Sequence, residues 1–240
     1  MLRVCLLWRC LVSLGLLAVL AGCRAEAPAL AQAPLEYLEF VTQAADPNTA
    51  LPLLVVMHGL GDSPEGILPL FRDLAPATRI IAPRAPDAFG DGSSWYPVPK
   101  RSPRIIERRA QLVAQLIEHV RARRPTRGRP VVTGFSQGGV LSFALARGHA
   151  SLLGGAVPIA GMLPVEPGTS LTKPARPLVV HAFHGKDDQR IPYAAAEQTV
   201  ARFRQAGFDA TLTGFPGVGH AISPEMRSQL FARLATLLSE

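Results

Sequence analysis

Short, continuous apolar runs constrain the fold of this chain more than any other sequence feature. The run Leu51–Met57 reads LPLLVVM and has no polar residue on either face. Successive apolar positions are typical of strands buried on both faces of a parallel sheet. We predict further strands at Leu35–Val41 (an edge strand), Arg79–Ala82, Pro130–Thr133, Gly155–Ile159, Pro177–Phe183 and Ala210–Phe215.

Segments with helical periodicity separate these strands. In the longest, apolar residues recur at helical spacing with Arg and Glu opposite, and Pro125 follows its end. The last helix is predicted to begin with Ser223 as N-cap and Pro224 in its first turn. The predicted helices are Ile105–Arg123, Val140–Arg147, Ala194–Gln205 and Pro224–Leu238. The alternation predicts an α/β fold, with a mostly parallel sheet, helices on both faces and the chemistry at the carboxyl ends of the strands.

The N-terminal segment does not fit this pattern. Residues 1–22 hold two Arg, no acid and a short apolar stretch, which is typical of a signal peptide. The uncharged stretch between Arg9 and Arg24 spans roughly 21 Å as a helix, too short for a bilayer core of about 30 Å. It ends in Leu-Ala-Gly-Cys, which resembles the lipobox of bacterial lipoproteins. That resemblance implies export, a lipid-modified Cys23 and membrane attachment; an ordinary secretory signal is the alternative.

The remaining chain is predicted to be a tether, residues 23–34, followed by one α/β domain, residues 35–240. Hydrophobic residues make up 48% of the sequence, enough for a full core without metals or disulfides. All three cysteines, Cys5, Cys10 and Cys23, precede the domain, which leaves it without thiol chemistry. Removal of residues 1–22 lowers the formal net charge from +7 to +5. No recognition motif accompanies this charge, so we predict no nucleic-acid partner.

The segment Gly134-Phe135-Ser136-Gln137-Gly138 lies between a predicted buried strand and a predicted helix. A serine in this G-x-S-x-G context occupies a sharp, strained turn at the sheet edge, above the N-terminus of a helix. The string alone is a weak signal, since many glycine-rich turns match it. The strand–turn–helix context predicts Ser136 as a nucleophile.

A serine nucleophile needs a base, and an acid to orient that base. Of six histidines, His220 lies in the loop between the last strand and the last helix, where this fold places the base. The other five lie within or at the ends of helices and strands. The acid is expected after the preceding strand, where Asp187 and Asp188 are adjacent. The residues themselves do not choose between the two, and one of them could instead cap the following helix.

Acyl transfer also needs hydrogen-bond donors for the developing oxyanion. One predicted donor is the backbone N–H of Gln137, directly after the nucleophile. The other is the N–H of Leu60, in the glycine-containing loop His58–Asp62 that follows the strand Leu51–Met57. The alternative for this loop is an ordinary glycine turn.

Four motifs in this order resemble the phospholipase/carboxylesterase family of α/β-hydrolases, which includes acyl-protein thioesterases. They are His58-Gly59-Leu60-Gly61-Asp62, Gly134-Phe135-Ser136-Gln137-Gly138-Gly139, His184-Gly185…Asp188…Pro192 and Gly219-His220. The resemblance implies the α/β-hydrolase fold and assigns the acid to Asp188. It also implies a substrate pocket near Trp95, in Ser94-Trp95-Tyr96, and Met162, in Ala160-Gly161-Met162-Leu163-Pro164. The export signal and the Pro and Glu in residues 61–66 depart from the family.

The sequence therefore predicts a membrane-attached serine hydrolase that cleaves carboxylic esters or thioesters, with no metal or cofactor. Its expected partners are a small-molecule or lipid ester substrate and, through Cys23, a membrane. Two alternatives stay open: a lipoprotein binding module that keeps the fold without turnover, and a peptidase of the same fold.

Overall fold

A computed structural model of the protein describes residues 32–98, 102–164 and 170–240. Residues Ala33–Glu240 form one compact unit. The predicted signal peptide, Cys23 and most of the predicted tether lie outside the described residues. None of the helices in the described part of the chain is both long and apolar enough to cross a membrane.

This compact unit contains nine strands and five α-helices among its described residues. The strands are β1 (Tyr37–Val41), β2 (Leu51–Met57), β3 (Arg79–Pro83), β4 (Asp87–Phe89), β5 (Gly92–Ser94), β6 (Thr126–Phe135), β7 (Gly155–Ile159), β8 (Val179–Gly185) and β9 (Asp209–Phe215). The α-helices are α1 (Pro64–Ile67), α2 (Pro103–Arg121), α3 (Gln137–Gly148), α4 (Tyr193–Gln205) and α5 (Pro224–Ser239), and Thr42–Ala44 and Leu68–Phe71 form short 3₁₀ turns. The predicted alternation is confirmed.

Seven strands form one sheet in the order β1-β3-β2-β6-β7-β8-β9. β1 lies at one edge of the sheet, as predicted, and is antiparallel to β3, while every other pairing in this sheet is parallel. The long connections between parallel strands place the ends of β2, β6, β8 and β9 at one edge of the sheet. Polar loops that follow those four strands therefore converge.

The sheet separates two apolar layers, which explains the continuous apolar strands. In β2, Leu53, Val55 and Met57 pack with residues of α2, α3 and α4 on one face. Leu54 and Val56 pack on the other face with residues 67–74 and α5. All seven β2 side chains are buried, as expected for a strand with a helix layer on each side.

Helix α5 begins as predicted: the Ser223 hydroxyl accepts the N–H of Met226 at 3.1 Å, and Pro224 occupies the first turn. The sequence reading missed the antiparallel hairpin β4–β5. Its strands have three residues each and read DAF and GSS, too short and too polar to show a strand pattern. This hairpin packs beside the candidate site and proves important there.

Candidate active site

Ser136 lies in a sharp turn between β6 and α3. Its backbone has φ 55° and ψ −113°, a conformation that costs free energy for any residue with a side chain. Two hydrogen bonds hold the turn: the Ser136 N–H donates to Ile159 O at 3.0 Å, and the Val140 N–H donates to Ser136 O at 3.0 Å. The strained turn directs the serine side chain into a cavity at the carboxyl edge of the sheet.

The glycines around Ser136 permit this turn because backbone atoms approach them closely. A Cβ added at Gly138 would lie 2.1 Å from Met57 O, and one at Gly139 would lie 2.4 Å from Ile159 O. Cβ atoms do not reach such distances, so helix α3 can start against β2 and β7 only with glycine at both positions. Residues 137–139 read Gln-Gly-Gly and have no apolar side chain, so the helical pattern begins only at Val140, three residues after the observed start of α3.

His220 connects Ser136 to Asp188. Its Nε2 lies 2.9 Å from Ser136 Oγ, and its Nδ1 lies 2.7 Å from Asp188 Oδ2. Since an ionised carboxylate only accepts hydrogen bonds, Nδ1 carries the proton and Nε2 is left to accept from the serine hydroxyl. The Phe135 ring packs against the imidazole, with ring centroids 4.9 Å apart. Three loops, after β6, β8 and β9, thus bring together the three side chains that the sequence singled out.

The two candidate acids have different surroundings. Asp188 is 5% exposed, and its Oδ1 accepts the N–H groups of Arg190 and Ile191, each at 2.9 Å. Its Oδ2 also lies 3.2 Å from Nε2 of His184, which donates to Ile191 O. Asp187 is exposed, and its backbone N–H donates to Val218 O. Asp188 is therefore the carboxylate that contacts His220.

Opposing effects set the ionisation of Asp188. Burial opposes the charged carboxylate, but the Ile191 N–H, His220 and the Arg190 N–H all favour it. Together these hydrogen bonds and the nearby imidazole outweigh burial and hold the pKa of Asp188 below its ordinary value of 3.8. The acid is ionised at neutral pH and accepts the proton of His220 Nδ1.

The predicted oxyanion donors lie beside Ser136. Leu60 and Gln137 line the same cavity as the serine, and neither backbone N–H donates to another group among the described residues. A Cβ added at Gly59 would lie 3.6 Å from Ser136 Cβ, which shows how closely this loop approaches the serine. The geometry leaves two amide donors unused next to the hydroxyl.

The Gln137 side chain joins this site to the hairpin that the sequence reading missed. Its Oε1 accepts the Trp95 N–H at 2.8 Å, and its Nε2 donates to Tyr96 O at 3.0 Å. The segment after β5 is thereby fixed to the start of α3. No local sequence pattern predicts this contact, because the two segments are 42 positions apart.

The predicted pocket residues require correction. Trp95 is completely buried, and its Nε1–H donates to His58 O at 3.0 Å, so it supports the loop and does not contact the cavity. Met162, half-buried, is not among the residues that line the cavity in the described part of the chain. The cavity, of about 370 Å³, is lined by Gly59, Leu60, Asp62, Tyr96, Val98, Phe135, Ser136, Gln137, Arg190, Ile191 and His220. The Ser94–Tyr96 segment reaches it through Tyr96.

No group of three or more His, Cys, Asp or Glu side chains within residues 32–98, 102–164 and 170–240 is arranged to hold a metal ion. Besides the charged side chains of Asp62 and Arg190, the cavity presents a hydroxyl, an imidazole, the backbone amides of Leu60 and Gln137, and apolar side chains. Such a set suits nucleophilic attack on a carbonyl carbon.

A mostly parallel sheet with this strand–serine–helix turn, and with an acid and a histidine after its last two strands, has the α/β-hydrolase fold. The profile of the phospholipase/carboxylesterase family matches residues 37–238, so the chain belongs to that family. It is a carboxylic ester hydrolase, as the family and the esterases among its relatives indicate. The family and fold predicted from the four motifs are confirmed.

Individual relatives support this assignment. A probable carboxylesterase of Oryza sativa (Os04g0669500) is 30% identical over 195 residues, which cover 70% of this chain and 71% of that protein. Esterase YpfH of Escherichia coli is 26% identical over 208 residues, covering 82% and 87%. The crystal structure of esterase PE8 superposes with a TM-score of 0.72 at 22% identity, covering 85% of this chain and 99% of that one. The last similarity supports the fold alone.

Proposed function

We propose that the protein hydrolyses carboxylic esters or thioesters through an acyl-enzyme formed on Ser136. The observation that supports this most is the hydrogen-bonded chain from Ser136 Oγ through His220 to Asp188, at 2.9 and 2.7 Å. His220 Nε2 removes the serine proton as Oγ attacks the substrate carbonyl carbon. Asp188 orients the imidazole and stabilises the imidazolium that forms.

The attack converts the carbonyl oxygen into an oxyanion, which the N–H groups of Leu60 and Gln137 stabilise. Each such donor is worth about 10²–10³ in kcat. The tetrahedral intermediate collapses as the leaving alcohol or thiol takes the proton from His220. Water then attacks the acyl-enzyme with His220 again as base, which releases the acid and restores Ser136.

The cavity walls favour an apolar acyl group. Leu60, Tyr96, Phe135 and Ile191 surround the serine, and half-exposed Val98 lies at the rim. Relatives named carboxylesterase and acyl-protein thioesterase support both ester and thioester substrates. Matched acetyl, butyryl, octanoyl and palmitoyl esters, each with its thioester counterpart, would measure the preferred chain length and leaving group.

The nucleophile is tested by Ser136→Ala. The variant should fold normally and lose about 10⁵–10⁶ of kcat, as removal of a triad nucleophile does. A fluorophosphonate probe should label the wild-type protein and leave the variant unlabelled. Ser142→Ala is the matched control: among the described residues the hydroxyl of this buried serine on α3 bonds only to Gly138 O, and its loss should leave labelling intact. Ester hydrolysis by Ser136→Ala within tenfold of wild type would reject the mechanism.

The same assay separates the alternatives. A wild-type protein that binds esters but is not labelled would be a binding module with a hydrolase fold. Labelling together with cleavage of peptides in preference to esters would indicate a peptidase. Neither alternative is favoured by the relatives, which are named as esterases.

We further propose that the protein is exported and attached to a membrane through acylated Cys23. The support is the sequence alone: a signal-like segment followed by Leu20-Ala21-Gly22-Cys23. One acyl chain binds a membrane only marginally, so stable attachment needs a multiply acylated cysteine. Cys23→Ala should release the protein from membranes or block its processing. An intact mass that shows an unmodified N-terminus beyond residue 23 would reject this proposal.

A further inference from the structure

His58 is not part of the hydrogen-bonded chain from Ser136 through His220 to Asp188, yet it is completely buried beside the site. It follows the last residue of β2, and its ring makes three hydrogen-bond contacts. Nδ1 lies 2.7 Å from Gly59 O, and Nε2 lies 3.1 Å from the Ala85 nitrogen and 3.2 Å from Ser93 Oγ. A histidine that is satisfied at both nitrogens holds its neighbours in fixed orientations.

The partners determine which nitrogen carries the proton. Gly59 O can only accept, so Nδ1 must donate, while the backbone N–H of Ala85 can only donate, so Nε2 must accept. The Ser93 hydroxyl can then donate to Nε2 as well. Burial lowers the pKa of His58 from its ordinary value of 6.5, which keeps the ring neutral. The imidazole is therefore the Nδ1–H tautomer.

The accepting carbonyl belongs to the same peptide unit as the Leu60 N–H. In a trans peptide, C=O and N–H point in opposite directions within one plane. Because Nδ1–H of His58 fixes Gly59 O on one side, the Leu60 N–H must point to the other. Leu60 and Ser136 line the same cavity, and a Cβ added at Gly59 would lie 3.6 Å from Ser136 Cβ.

Other contacts hold the ends of this loop, but they fix the peptide plane between Gly59 and Leu60 less directly than His58 does. The Trp95 indole donates to His58 O, one peptide earlier, and the Gly61 N–H donates to Ser93 O at 2.9 Å, one residue later. The Asp62 N–H reaches Gly59 O at 3.4 Å, a longer contact than that from His58. The shortest hydrogen bond to Gly59 O thus comes from the imidazole.

We infer that His58 is a positioning residue that orients the Leu60 N–H toward the oxyanion through its hydrogen bond to Gly59 O. The inference rests on the proposed ester hydrolysis, and it adds a second layer to the oxyanion site. His58 acts on the transition state without contacting substrate, so its loss affects kcat rather than substrate binding.

Two similar substitutions separate this role from simple packing. The side-chain amide of asparagine reaches the position of imidazole Nδ1, so His58→Asn keeps a donor for Gly59 O. The amide of glutamine reaches the position of Nε2, so His58→Gln keeps an acceptor for Ala85 N–H but removes the donor. Both variants disturb the surrounding core. A purely structural role therefore predicts similar losses in the two, whereas the positioning role predicts different ones.

We expect His58→Asn to retain kcat within about tenfold of wild type, and His58→Gln to lose about 10²–10³, the cost of one oxyanion donor. KM should change little in either variant. The control is His181→Gln, a half-buried β8 histidine that contacts Thr213 outside the site, which should keep wild-type kcat. Equal losses in both His58 variants, or wild-type kcat in His58→Gln, would overturn the inference.

A measurement on the unmodified protein covers the case in which a variant does not fold. Nitrogen-15 NMR of the imidazoles distinguishes protonated from unprotonated ring nitrogens. His58 should show Nδ1 protonated and Nε2 unprotonated at neutral pH, and the opposite tautomer would overturn the inference without affecting the proposed function. Failure of the wild-type protein to turn over any ester would instead reject the proposed function, so the two failures are distinguishable.

Discussion

The assignment of the acid depends on a difference between two adjacent residues. Asp187 and Asp188 share a loop and a charge, but the structure places His220 Nδ1 2.7 Å from Asp188 Oδ2 and leaves Asp187 exposed. The two N–H groups that bind Asp188 Oδ1 fix the direction of its carboxylate. A shift of one residue along this loop would point the side chain into solvent.

Replacement of each carboxylate by an amide tests this assignment. Asp188→Asn should fold and lose up to about 10⁴ of kcat, because the amide can donate to Nδ1 and favour the wrong tautomer of His220. Asp187→Asn should lose less than tenfold. Steady-state hydrolysis of a butyryl ester checks both, and a reversed order of the two losses would move the acid to Asp187.

At the scale of elements, the active site depends on how closely α3 approaches β2. The helix starts directly after Ser136, and Gly138 meets the backbone carbonyl of Met57 where any side chain would collide. The hairpin β4–β5 and Gln137 then connect this helix to the loop after β2. The position of Ser136 and that of the loop after β2 are therefore coupled by packing.

Gly138→Ala should separate α3 from β2. Its Cβ would lie 2.1 Å from Met57 O, and such overpacking costs about 1–3 kcal/mol or more of unfolding free energy. The matched control is Gly148→Ala at the other end of the same helix, where nothing lies within 4 Å. That change should be neutral or stabilising by up to about 1 kcal/mol. Urea unfolding measures both, and equal stabilities would contradict the packing account.

At the scale of the whole molecule, buried and half-buried histidines make stability depend on pH. Burial lowers the pKa of His58, His149, His181 and His184 from 6.5. Below pH 6.5 the unfolded chain binds protons that the folded protein does not. Stability therefore falls as pH decreases from 6.5 toward the lowered pKa values.

We expect the unfolding free energy to be lower at pH 5 than at pH 7. Each histidine contributes at most about 1.4 kcal/mol per pH unit, the value for one proton. His181→Gln should reduce the pH dependence by removing one such group outside the site. Urea titrations at several pH values check this, and a stability that rises toward pH 5 would contradict it.

The carboxylate of Asp188 affects the stability of the folded protein at lower pH than the histidines do. Because its pKa is lowered in the folded protein, its stabilising contribution is present above 3.8 and is lost as pH falls through the lower folded value. The histidine and aspartate effects therefore have the same sign and occupy different pH ranges. Both oppose folding in acid.

Local patterns were enough to predict the layered fold, the alternation of its main strands with helices and the residue types of the site. β2 and β7 have the predicted bounds, since a strand buried on both faces is apolar at every position. Ser136 and His220 were singled out because each lies in a loop whose place in the strand–helix alternation is readable. These signals are local, so they can be recognised in the sequence without knowledge of tertiary contacts.

Tertiary structure decided what depends on distant contacts. His220 contacts Asp188 and not Asp187, and Trp95 is buried beneath the loop after β2. Tyr96, Val98 and Arg190 line the cavity. Gln137 is also joined to a hairpin too short to have a strand pattern. The direction of a side chain in a loop is set by hydrogen bonds from elsewhere in the fold. Composition and periodicity therefore cannot predict which of two adjacent loop residues points into the site.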